Sequence, residues 1–98
     1  MAGGLRVSEP AADLAAAAAL ISSAVDVPLP QRAVVFGEIS LSGEIRAVGR
    51  AEARLREAQK LGFDQALSPP LTVKDKGVRV TSVSRLTEAV ERISQNRY

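Results

Sequence analysis

Val34-Val35-Phe36-Gly37-Glu38-Ile39-Ser40-Leu41-Ser42-Gly43-Glu44-Ile45-Arg46-Ala47-Val48-Gly49 is the most distinctive stretch of this 98-residue chain. Its β-branched and apolar residues fall in two runs, Ala33 to Ile39 and Glu44 to Val48, both suited to strands. Ser40-Leu41-Ser42-Gly43 between them supplies turn chemistry, so the stretch predicts a hairpin. Gly49 then releases the chain into a charged helix running to Leu61. Val48, Ala51, Leu55, Ala58 and Gly62 form its apolar stripe, and Gly62 is placed to stop it. Arg50 and Arg54 lie together beside that stripe, and Arg56 and Lys60 lie together on the far side. Glu52 precedes Arg56 by four residues, the favourable order for a helical ion pair.

On the N-terminal side, Gly3-Gly4-Leu5-Arg6-Val7 reads as the tail of a strand. Ser8-Glu9-Pro10 is a helix start, because Pro in the first turn loses only an N–H that has no helical partner. Ser8 or Glu9 can cap, and Asp13 sits where the helix dipole favours a carboxylate. The helix runs to about Val25, with Leu14, Ala18, Ile21 and Val25 on one face. The unbroken apolar run from Leu14 to Ile21 predicts burial on most sides or a partner. Pro28 and Pro30 force extended backbone before the hairpin. On the C-terminal side, Phe63 to Pro69 reads as a short strand and Leu71 to Gly77 as a polar loop. Val78 to Val83 alternates as a strand with one buried face. Ser84 is the expected cap of a last helix lined by Leu86, Ala89, Val90 and Ile93. The order helix, hairpin, helix, strand, strand, helix predicts one α/β domain over residues 1–98, with three helices layered on a small mixed sheet.

Composition restricts the chemistry. Hydrophobic residues make up 46% of the chain and aromatics 3%, so the core is built from Ala, Val, Leu and Ile, and a base-stacking surface is disfavoured. The chain has no Cys and no His, which excludes disulfides, thiolate metal sites and an imidazole base. No signal-peptide pattern or membrane-length apolar run appears, which predicts a cytoplasmic location without membrane contact. Three of the 13 basic and five of the 11 acidic side chains lie in residues 1–48, so positive charge gathers in the second half. That bias favours an anionic partner or a plain solvated surface.

No GxxxxGK[ST] loop, GxGxxG loop or carboxylate cluster with metal spacing is present. The remaining catalytic device is a serine activated by a neutral lysine. Ser8, Ser40 and Ser42 are the candidate nucleophiles and Lys60, Lys74 and Lys76 the only lysines. Each serine has a structural role as cap or turn residue, and each lysine lies in a polar stretch where it stays protonated.

Gly3 to Ala15, Val35 to Arg46 and Arg54 to Phe63, at these spacings, resemble the C-terminal domain of the RadA (Sms) family of bacterial DNA repair proteins. That domain is similar to the proteolytic domain of Lon. The resemblance covers the whole chain and implies a Lon-like fold whose N-terminal strands are missing here, as in a C-terminal fragment or an abbreviated relative. It further implies a parent that is a hexameric, ATP-driven DNA motor of homologous recombination and branch migration. ATP, magnesium and zinc are cofactors of that parent, and none is expected in this chain.

The resemblance also implies what became of the Lon-type dyad. In Lon the nucleophilic serine follows a Gly-Pro pair at a helix start; here Pro10 is followed by Ala11. In Lon the catalytic lysine lies three residues beyond the Gly after the hairpin; counting from Gly49 reaches Glu52. A non-enzymatic scaffold for assembly and DNA contact is therefore expected. Arg46, Arg50, Arg54, Arg56, Lys60, Lys74 and Lys76 are its candidate phosphate contacts, and a structural oligomerisation domain without DNA contact is the alternative. DNA binding by the isolated domain is expected to be weak, with avidity supplied by a homo-oligomer. A sheet lacking strands exposes an edge and a core face, so self-association or strand exchange is expected as well.

Overall fold

The computed structural model describes residues 9–71 and 77–98. Ser8, Lys74 and Lys76 lie outside the described residues. A 3-10 turn, Pro10–Ala12, leads into α1 (Asp13–Val25). β1 (Ala33–Val35), β2 (Glu38–Ile39) and β3 (Ile45–Arg46) follow, then α2 (Ala51–Lys60), β4 (Gln65–Ser68), β5 (Arg79–Ser82) and α3 (Leu86–Ser94). The three expected helices are present. The strands divide between a parallel sheet of order β1-β4-β5 and a separate antiparallel pair β2-β3.

That division corrects the expected strand from Ala33 to Ile39. Its first half joins β4, with Ala33 opposite Gln65 and Val35 opposite Leu67. Its second half pairs with β3, with Ile39 opposite Ile45. The switch falls at Phe36-Gly37. The Gly37 amide donates to the Ala11 carbonyl and the Gly37 carbonyl accepts from the Leu14 amide, both at 2.9 Å. A Cβ on Gly37 would sit 3.1 Å from Pro69 Cδ and 3.2 Å from both Ile45 Cγ2 and Leu14 Cδ2. The start of α1 thus occupies the space that a continuing strand would need.

The predicted turn at Ser40 to Gly43 forms. The Gly43 amide donates to the Ser40 carbonyl at 3.0 Å, and the Ser40 amide donates to the Glu44 carbonyl at 2.9 Å. Ser40 Oγ lies 3.0 Å from Ser42 Oγ and accepts from the Glu44 amide at 3.1 Å.

β4 is the centre of the parallel sheet, and its Ala66 and Leu67 face opposite layers. Leu67 joins Leu14, Ala18, Ile45, Val83, Ala89 and Ile93 under α1 and α3. Ala66 joins Phe36, Leu55 and Val78 under α2. Both faces of β4 are covered, as parallel strands require. α1 buries one face only: Leu14 and Ala18 are fully buried, while Leu20 is 73% exposed.

Each helix ends at a residue with positive φ: Asp26, Gly62 and Asn96. At Gly62 the Phe63 amide donates to the Ala58 carbonyl at 2.9 Å and the Gly62 amide to the Gln59 carbonyl at 3.1 Å, a Schellman stop at the predicted glycine. Ser84 does not cap α3. Arg85 takes the cap position, and the Glu88 carboxylate reaches back to the amides of Ser84 at 2.6 Å and Arg85 at 3.1 Å. A first-turn carboxylate satisfies two amides that one serine hydroxyl could not.

Candidate functional site

Among the described residues a groove of about 600 Å³ lies between the start of α1, β1 and the inner side of α2. Its floor is β1. The Arg32 carbonyl accepts from the Gln65 amide at 3.2 Å and the Phe36 amide donates to the Leu67 carbonyl at 3.1 Å. Alternation along the strand therefore turns the backbone groups of Ala33 and Val35 away from β4. Among the described residues no strand pairs with that edge. Ala11, Ala12 and Ala15 form one wall, and Ala53, Ala58 and Leu61 the other, with Phe63 at one end. The helix stripe placed α2 here, and the small side chains of both helix faces leave the space open.

Ala11, which the resemblance set at the place of the Lon nucleophile, stands in this wall and is 4% exposed. Glu52, which the resemblance set at the place of the Lon lysine, does not line the groove. Its carboxylate lies 3.5 Å from Arg56 Nη2 on the solvent side of α2, the ion pair expected from their spacing. Arg50 and Arg54 do line the groove, with Glu9 and Glu57. Arg54 Nε donates to the Gly49 carbonyl at 3.2 Å, and its Nη2 lies 3.8 Å from Glu9 Oε1, joining α2 to the entry of α1. Arg50 precedes α2 in the left-handed region, at φ 62° and ψ 35°. For a residue with a Cβ this conformation costs on the order of 1–3 kcal/mol and persists only where its surroundings enforce it.

The remaining candidate cations are not gathered there. Arg46 lies on the hairpin, 3.7 Å from Glu44. Arg56 and Lys60 are exposed on the far side of α2. The structure thus brings together two of the five described cations and places Ala11 beside them. Sequence reasoning expected an exposed sheet edge without naming the strand, and did not find Glu9 or Glu57. Glu57 could have been found from Arg50 and Arg54, since residues 50, 54 and 57 share one helical face. Among the described residues no group of three or more acidic side chains is placed to hold a metal ion, and no helix is long and apolar enough to cross a membrane.

A second feature escaped the sequence. Tyr98 packs against the core under α1 and α3, and its hydroxyl is buried without a hydrogen-bond partner among the described residues. Desolvation raises its pKa above the usual tyrosine value.

Comparison with known proteins adds two findings. A family model described as subunit ChlI of Mg-chelatase matches residues 2–71. Curated relatives named DNA repair protein RadA match nearly the whole chain. The protein of Brucella abortus is 52% identical over 97 residues, 96% of this chain and 21% of its own length. Those of Aquifex aeolicus and Escherichia coli are 48% and 45% identical over 93% and 90% of this chain. The chain spans about a fifth of the length of these relatives.

Proposed function

The chain belongs to the family described as subunit ChlI of Mg-chelatase, in the form carried by RadA-type DNA repair proteins, and from this we propose that it is a non-catalytic, Lon-like scaffold domain of a RadA-type repair ATPase. Its work is assembly of the parent protein and contact with DNA during homologous recombination. ATP turnover belongs to the rest of that parent. The observation that carries the reading is the lining of the groove. Ala11 is the residue that the resemblance sets at the Lon nucleophile position, and among the described residues no Ser, Thr or Lys lines the cavity. Glu52 is turned to solvent against Arg56. A cleft whose described lining holds no Ser–Lys pair suits binding and not Lon-type amide hydrolysis.

Binding of fluorescent DNA by the purified chain, measured against salt, tests the DNA half of the proposal. Affinity should fall as salt rises, and Arg50→Glu with Arg54→Glu should reduce the log–log slope by about one for each phosphate the variant no longer neutralises. An unchanged slope removes both residues from the contact surface. The reading without DNA contact draws support from the pairing of Arg46, Arg54 and Arg56 with Glu44, Glu9 and Glu52. Cleavage of an unstructured peptide by the wild-type chain would overturn the non-catalytic assignment.

A further inference from the structure

We draw no further inference here: the strongest candidate, the groove between the start of α1, β1 and α2, carries none, because residues 1–8, which lead directly into its lining residue Glu9, lie outside the described residues and its lining sets Glu9 and Glu57 beside Arg50 and Arg54, so nothing in the structure shows what covers it.

Discussion

Gly37→Ala should destabilise the fold although it adds a single methyl group. The new Cβ would meet Pro69 Cδ at 3.1 Å and Ile45 Cγ2 and Leu14 Cδ2 at 3.2 Å. These neighbours belong to the end of β4, the hairpin and α1, so no single side-chain rotation relieves all three. Leu14 is fully buried, Ile45 is 6% exposed, and the Pro69 ring is fixed. Overpacking of this kind costs about 1–3 kcal/mol. At φ 158° the backbone there is one that a residue with a Cβ rarely adopts, so strain offsets the usual gain of about 0.4–1 kcal/mol from a stiffer unfolded chain. The net loss stays at about 1–3 kcal/mol, out of roughly 5–15 kcal/mol for a small domain. For a chain of this size the melting temperature should fall by about 4–24 °C. Circular dichroism melts and urea titrations at constant m-value measure it. Gly49→Ala is the matched control: nothing lies within 4 Å of its Cβ, and its melting temperature should stay level or rise slightly. A Gly37→Ala variant as stable as wild type would refute the claim that the chain changes sheets at a sterically closed point.

Other outcomes follow from the described contacts. Ala11→Ser combined with Glu52→Lys should leave the chain without peptidase activity toward casein, because position 52 faces solvent beside Arg56 and not the groove; measurable cleavage would show that the two positions can meet. Folding stability should decline above about pH 10, because burial raises the Tyr98 pKa in the folded state. The unfolded chain then releases its proton first, so the neutral phenol stabilises the fold below the ordinary tyrosine pKa and this is lost as pH rises through the folded value. Tyr98→Phe should flatten that decline in melts run from pH 8 to 11 and should not lower the melting temperature at neutral pH, since the hydroxyl it removes is buried without a partner among the described residues.

The helices were legible because their signals are local. The stripe from Ala51 to Ala58, the Gly62 stop and the Glu52–Arg56 pair all depend on residues within one or two turns. The split of Ala33 to Ile39 was not legible, because it is decided by β4 and by the start of α1, which bind the two halves from different directions. Ser84 misled for a related reason: a serine before an apolar stripe resembles a cap, and only the reach of Glu88 shows which group holds the amides. At the candidate site, the residue types at positions 11 and 52 could be read directly. That Ala11, Arg50 and Arg54 share one cavity could not, since Ala11 is some 40 residues from α2 in the chain and β1 supplies the floor between them. The cations can be counted from the sequence, but their local neutralisation by Glu9, Glu44 and Glu52 decides how much field they project.

The two hydrogen bonds from the hairpin to the entry of α3, Leu86 to Gly43 and Ile45 to Ser84, tie segments some 40 residues apart into one cooperative unit. Amide hydrogen exchange should therefore open the turn and the first turn of α3 together, more slowly than the turn's surface position alone would allow. The last helix then serves as the keeper of the tip. A change on the outer face of α3, far from Leu41, would loosen the turn that carries it.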